Sequence, residues 1–243
     1  MNSLFNKMFQ CHSMDTTVLA EVCGIILGDG SIHKTQNRIT ITGSLEDLHY
    51  FENHVIPLFQ HIFPNLKPHL QKVKDSNAYR LIFENKKMFE CLTNVIGLVR
   101  GNKKNAKIPK FIFQNRKTMQ FFLRGLFDTD GSLKFSKQST SINYYPRIQF
   151  SNQEGVLAHQ IGDILVNLGF SFGKWTENNT RSYGNKNNRL TYYHISGIDN
   201  LLLWFDLIKP QNLVHSTKFS IWKKYGFCKP CTTLRERLLQ ISL

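Results

Sequence analysis

The chain has 243 residues, with 31 Lys+Arg against 17 Asp+Glu and a formal net charge of +14. At 41% hydrophobic and 20% charged it can bury one large core or two smaller ones, which excludes the disordered class. No window nears the roughly 18 consecutive apolar residues of a membrane span, and the cation excess points to a polyanion such as nucleic acid.

In chain order, Met1 to Met14 carries Lys7 but no continuous apolar stretch, so a secretory signal is not expected. The first helix is expected from a cap at Asp15 into Val22–Gly30, and strand Arg38–Thr42 follows it. An amphipathic stretch at Leu45–Phe59, a strand at Tyr79–Phe83 and a helix over Lys86–Leu98 complete this half. A linker lies near Lys103–Asn115, punctuated by Ile108-Pro109. The same order then returns. A helix capped by Asn115 runs into Leu123–Gly131, followed by strand Arg147–Ser151, helix Val156–Leu168, strand Tyr192–Ser196 and helix Leu201–Ile208. The Asn-rich stretch Asn178–Asn188 reads as a long hairpin loop. The fold class is therefore α+β, a tandem αββαββα duplication, with halves at 1–107 and 108–225 and an extension at 226–243.

Charge is distributed unevenly along this frame. Eight Lys/Arg and no acid lie between Glu90 and Asp128, and six more with no acid lie between Asp206 and Glu236. Interleaved apolar residues place both runs on folded surface that an anion would compensate. Five scattered Cys make no disulfide framework. Cys228 and Cys231 form a single Cys-x-x-Cys with no second pair for zinc, so reduced thiols and an intracellular location are expected, in a cytoplasm or an organelle.

The two helix ends, Val22–Ile32 and Leu123–Leu133, align residue for residue at a spacing of 101. Gly24 and Gly28, matched by Gly125 and Thr129, set small residues four apart on one face. This predicts that the two helices pack closely against each other. Gly30 and Gly131 are expected in the left-handed conformation that ends many helices. Asp29 and Asp130 then stand at the negative end of a helix dipole, where a carboxylate is disfavoured. A divalent cation between them resolves the repulsion; few protein oxygens plus water and phosphate suit Mg²⁺. Beside a basic surface, this suggests metal-assisted phosphodiester hydrolysis. Along the strands, Arg38, Thr40 and Thr42 alternate with Ile39 and Ile41, and Arg147, Gln149 and Ser151 alternate with Ile148 and Phe150. Each strand thus has one face for a core and one for base edges. Lys72, Lys74 and Arg80 extend that surface in the first half; Lys134, Lys137, Arg181, Lys186, Arg189 and His194 do so in the second.

These segments resemble the motif of the LAGLIDADG homing endonucleases. Val22–Gly30 matches it at Gly24, Ile26, Asp29 and Gly30. Leu123–Gly131 matches at Leu123, Gly125, Leu126, Asp128, Asp130 and Gly131. Two motifs in one chain resemble the monomeric, two-motif branch. The resemblance implies halves related by a pseudo-twofold axis, a central two-helix interface and two antiparallel saddle-shaped sheets over the DNA major groove. It implies metal on Asp29 and Asp130 with the backbone carbonyls of Gly28 and Thr129, and a basic residue near each active site, for which Lys107 and Lys218 are the candidates. Asp128 would point elsewhere. A polar position that helps hold solvent falls at Gly43 or Ser44 in one half and Ser151 or Asn152 in the other. The implied activity is Mg²⁺-dependent cleavage of double-stranded DNA at a long asymmetric site, leaving short 3′ overhangs, with Mn²⁺ or Ca²⁺ able to take the same place. Two alternatives share the fold: a maturase whose partner is intron RNA, and a DNA-binding regulator without cleavage. The initial Met and the length favour a free-standing, intron-encoded protein over an intein.

Overall fold

A computed structural model describes residues 15–178 and 189–242. The first half runs α1 (Thr16–Leu27), β1 (Gly30–Ile32), β2 (Arg38–Ser44), α2 (45–62), β3 (Pro68–Lys72), β4 (Ala78–Glu84) and α3 (86–95). Short 3-10 turns at Lys103–Asn105 and Lys110–Gln114 lead into the second half. It runs α4 (Arg116–Asp130), β5 (Ser132–Ser136), β6 (Tyr145–Gln153), α5 (Val156–Leu168), β7 (Gly173–Asn178), β8 (Arg189–Ser196) and α6 (Ile198–Leu207). The order expected from the repeat is present twice. Two antiparallel four-stranded sheets result, β1-β2-β4-β3 and β5-β6-β8-β7.

Local chemistry explains where the motif helices begin. The Asp15 carboxylate accepts from the Thr17 and Val18 amides, and the Asn115 side chain accepts from the Thr118 amide, each satisfying donors that α1 or α4 would leave unpaired. α1 is buried along Leu19–Leu27, so it serves as a central element rather than a surface helix. It packs on α4 through glycine. A Cβ on Gly24 would lie 2.2 Å from the Phe122 carbonyl oxygen and 2.8 Å from the Leu126 amide nitrogen. One on Gly125 would lie 2.3 Å from the Glu21 carbonyl oxygen and 2.9 Å from the Ile25 amide nitrogen. The two backbones touch at reciprocal positions, as the small-residue spacing predicts.

Gly30 and Gly131 correct the sequence reading. Neither has a positive φ, and Gly131 is extended, at φ −81° and ψ 165°. The chain leaves each helix directly into a strand. A Cβ there would meet the helix just left, 2.5 Å from the Ile26 Cα at Gly30 and 2.2 Å from the Phe127 ring at Gly131.

The sheets bury alternate residues. Ile39 pairs with Phe83 and Ile41 with Leu81; Ile148 pairs with Ile195 and Phe150 with Tyr193. All eight are buried, so the opposite faces look away from the core. Phe59 stacks on Phe83 at 4.3 Å in the first half. Trp204 fills the second, 5.0 Å from both Phe127 and Phe170. Buried Glu21 joins the halves, holding His54 at 2.6 Å and Arg124 of α4 at 3.3 Å. α2 is not a plain helix. It contains a π turn at Phe51–Val55, just before Pro57, which has no amide to donate.

Two later helices were not anticipated, α7 (Leu213–Tyr225) and α8 (Leu234–Ser242). Buried Arg237 of α8 bonds Thr217 of α7 at 3.0 Å and pairs with Glu46 of the first half at 3.5 Å. The extension is thus tied to both halves. Cys228 is buried and Cys231 exposed, both as free thiols. Among the described residues no helix is long and apolar enough to cross a membrane.

Gly125→Ala is expected to lose about 1–3 kcal/mol by forcing α1 and α4 apart. Urea unfolding of variant and wild type measures this, and an unchanged midpoint would contradict the backbone contact.

Candidate active site and nucleic-acid interface

Helix packing brings the two motif ends together. The Thr129 hydroxyl sits 2.0 Å from where a Cβ on Gly28 would be, so a side chain there would displace Thr129. Asp29 follows α1 and Asp130 closes α4. The Asp29 carboxyl is pushed up to about 7, by burial first and then by the charges of Asp130 and Asp47, with Lys103 acting the other way. Burial also raises Asp130, again opposed by Lys103. The protein keeps two buried acids together, the charge of one making the other harder to ionise. Such an arrangement costs stability and marks a site built for something else.

Lys103 is the side chain that answers them. Its ammonium donates to the Leu27 carbonyl at 3.0 Å and to the Gly28 carbonyl. Burial lowers its pKa, while Asp130 and Asp29 favour its charge. Lys107, the residue expected near this site, is exposed. The 3-10 turn at Lys103–Asn105 points the earlier lysine inward, a geometry no spacing rule predicts. Lys218, the candidate of the second half, donates to the Leu133 carbonyl at 3.3 Å, and its titratable neighbours are Arg237, Cys228, Glu46 and Lys134.

The corresponding place in the second half holds Asn212 instead of a cation. Its amide donates to the Asp128 carbonyl at 2.9 Å and to the Asp47 carboxylate at 2.8 Å. Asp47 also accepts from the Ser44 amide and hydroxyl, both at 2.7 Å. Asp47, Asn212 and Lys103 were all missed in sequence because each reaches the site through a tertiary contact. Asp128 is buried and accepts from the Gln211 amide at 2.8 Å. It points away from the paired acids, and burial pushes its pKa up to about 8. A cleft of about 190 Å³ opens beside Asp130, lined also by Gly28, Lys103, Ser151, Asn152 and Gln153.

The donor set fits a hard cation. Two carboxylates repel each other, and an ammonium already occupies the Gly28 carbonyl. Among the described residues no three His, Cys, Asp or Glu side chains converge. The protein thus supplies few oxygens and leaves the rest to solvent or ligand, which is how Mg²⁺ is held. The Thr129 hydroxyl turns back to the Gly125 and Leu126 carbonyls of its own helix.

The outward sheet faces carry most of the candidate contact residues. Thr42 pairs with Arg80, and Gln71 with Arg80. Lys134 pairs with Arg147, and Gln149 with His194. His194 is lowered by burial and by Arg147 and Lys134, so this face concentrates positive charge. Thr40 and Ser151 share these faces; Lys74 and Lys137 are exposed in turns beyond the strands. Three candidates sit differently. Arg38 is paired with Glu84 at 2.5 Å. Lys72 pairs with Tyr79, on the core-facing parity of its strand. Arg189 has core-facing parity too and is paired with Glu154 at 3.2 Å. Arg181 and Lys186 lie outside the described residues. The face also carries residues not anticipated, His69, Gln71, Trp175 and Tyr192.

Asp29 gives a pH signature. Its folded pKa lies above its unfolded value near 3.8, so the folded state binds more protons between about pH 4 and 7, and stability falls as pH rises through that window. Asp29→Asn is therefore expected to match wild type near pH 4 and to exceed it above pH 7, on the order of 1–3 kcal/mol. Thermal melts across that range test this; a pH-independent difference would contradict it.

Comparison with known proteins agrees with this geometry. Residues 118–209 match the family described as a LAGLIDADG-like domain. A replication factor C small subunit of Methanocaldococcus jannaschii is 30% identical over 129 residues, 50% of this chain and 7% of that protein. An uncharacterized protein of the same organism is 25% identical over 173 residues, 67% of this chain and 59% of its own length. The chain thus spans less than two thirds of either relative. The solved structure of I-DmoI in complex with DNA and Mn superimposes with a TM-score of 0.54 at 19% identity, covering 81% of this chain and 98% of that one. The N-terminal LAGLIDADG domain of DUF199/WhiA gives 0.52 at 16% identity, covering 81% and 84%. The chain holds a LAGLIDADG-like domain over residues 118–209, repeats that architecture in its first half, and shares its overall fold with I-DmoI.

Proposed function

We propose that this protein is a site-specific DNA endonuclease that cuts both strands of a long asymmetric duplex target, leaving short 3′ overhangs. The observation that carries the reading is the meeting of Asp29 and Asp130 at adjacent helix ends, with an ammonium beside them and two outward sheet faces flanking them. Binding alone gives no reason for that pair, since two carboxylates at the centre of an anion-binding surface repel DNA. A regulator that does not cleave, or an intron RNA maturase, leaves it unexplained. The solved neighbours include I-DmoI complexes with DNA and Mn or Ca, which supports a divalent metal and duplex DNA for this chain too. The protein would act as a monomer, intracellular and intron-encoded, with halves at 1–107 and 108–225 and an extension at 226–243.

Asp29 and Asp130, with the carbonyls of Gly28 and Thr129, would hold Mg²⁺, or Mn²⁺ or Ca²⁺ in its place. When bound, the metal supplies an activated water and charge stabilisation for the leaving 3′ oxygen. The chain's own residues do the rest. Asp29 and Asp130 would act as carboxylates, a form that their burial disfavours until positive charge arrives. Lys103 supplies part of that charge and, freed from the Gly28 carbonyl, can face a phosphate oxygen. Ser44 and Asn212 hold the Asp47 carboxylate in one orientation beside Asp29. Lys134, Arg147 and Arg80 engage DNA from the sheet faces, where phosphate contacts position and base contacts specify. Two sheet faces suit a target on the order of 20 bp, or two helical turns.

Asp29→Asn and Asp130→Asn are each expected to abolish double-strand cleavage while leaving DNA binding within about threefold of wild type; cleavage at the wild-type rate in either variant sinks the assignment. Binding affinity is expected to fall steeply between 50 and 200 mM salt, by about 10³-fold or more for six phosphate contacts. A flat titration by fluorescence anisotropy would contradict the basic interface.

A further inference from the structure

The two sheets present the same register positions to the outside with different chemistry. In the first half, Thr42 of β2 pairs with Arg80 of β4, which pairs with Gln71 of β3. In the second half, the corresponding row is Ser151 of β6, Tyr192 of β8 and Trp175 of β7. The correspondence follows from the repeat, since Arg38-Ile-Thr-Ile-Thr42 aligns with Arg147-Ile-Gln-Phe-Ser151 and the strand orders are the same. Both rows lie on the face opposite the core, and Ser151 also lines the cleft beside Asp130.

The second row is an ordered aromatic wall. Trp175 stacks on Tyr192 with centroids 5.3 Å apart and planes 12° apart, and it meets the His194 ring edge-on at 4.1 Å and 88°. Trp175 nevertheless remains 40% exposed. A large indole fixed by two neighbours and left open to solvent on a nucleic-acid face is a surface waiting for an apolar group. Its first-half counterpart holds donors instead. Arg80, Gln71 and Thr42 are all exposed, and Arg and Gln are the side chains that match the major-groove edges of guanine and adenine in bidentate fashion.

Building on the DNA reading above, we propose that Trp175, with Tyr192, is a specificity-determining contact for the C5-methyl group of thymine in one half-site, and that Arg80 and Gln71 read the major-groove edge of a purine at the same distance from the centre in the other. Among the groups a base pair shows in the major groove, the thymine methyl is the apolar one, so an aromatic wall selects it by burial rather than by hydrogen bonding. The target asymmetry is then a property of these two rows. One half-site offers methyl surface where the other offers N7 and O6 or N6.

The test starts from a duplex selected by the wild-type protein from a randomised library. Each thymine of that duplex is replaced in turn by deoxyuridine, which removes only the methyl. Wild type is expected to lose about fourfold in affinity at one or two thymines, all in one half-site. Trp175→Ala should bind the parent duplex correspondingly more weakly and show no further loss on the deoxyuridine duplex. Trp175→Phe should restore the methyl discrimination, which separates contact from misfolding. Arg80→Ala should relax selection by about fivefold or more at a purine of the opposite half-site only. The proposal is overturned if the deoxyuridine scan is flat, or if Trp175→Ala retains the same deoxyuridine penalty. If wild type enriches no duplex sequence at all, the endonuclease reading itself falls, and this inference with it.

Discussion

Everything distinctive about this protein depends on two helix backbones in direct contact. At Gly24 and Gly125 no side-chain atom separates α1 from α4; a methyl group at either position would overlap a carbonyl of the partner. Close approach costs helix propensity, roughly 0.5–1 kcal/mol for each glycine relative to alanine. It is offset by the burial of both helices between two sheets. Its consequence lies one turn further on. Because the helices meet near their C-terminal ends, Asp29 and Asp130 are brought together.

The paired acids set up an electrostatic conflict that the rest of the site answers unequally. On one side an ammonium, Lys103, sits on the helix-end carbonyls. On the other, a neutral amide, Asn212, bridges the Asp128 carbonyl and a further acid, Asp47. The fold is repeated, but its charge is not. One side of the centre carries a cation, and the other a neutral amide that holds Asp47 in place. The same divergence reaches the sheets, where a donor row faces an aromatic row at corresponding register. A duplicated backbone with unlike side chains suits a partner whose two halves differ.

Much of this was legible in the residues. The 101-residue spacing, the small residues four apart and the alternation along β2 and β6 are local patterns with one dominant physical reading, so the duplication, the helix pair and the outward strand faces could be stated before any coordinates. The Gly30 and Gly131 reading failed for an instructive reason. Glycine after a helix serves either a left-handed turn or a close approach, and sequence does not distinguish them; here the strand that follows at once leaves room only for the second. Lys107 is exposed, and Lys103 could not be singled out in its place, because which of several linker lysines turns inward depends on the 3-10 turn that sets it on the Leu27 and Gly28 carbonyls. Lys72 and Arg189 belonged to the right strands, but pairing register put them on the core-facing parity.

By itself, the sequence determined the repeat, the two carboxylates at helix ends and the surplus of positive charge. These rest on composition and on periods of two and 3.6 that the backbone imposes. Tertiary structure alone decided which cation sits beside those carboxylates, which further acid stands near Asp29, and which side chains share a face with Arg80 and His194. Lys103 and Leu27, Asn212 and Asp47, Trp175 and Tyr192 are neighbours in space but not along the chain. Their meeting follows from strand register and helix crossing, which no local pattern encodes.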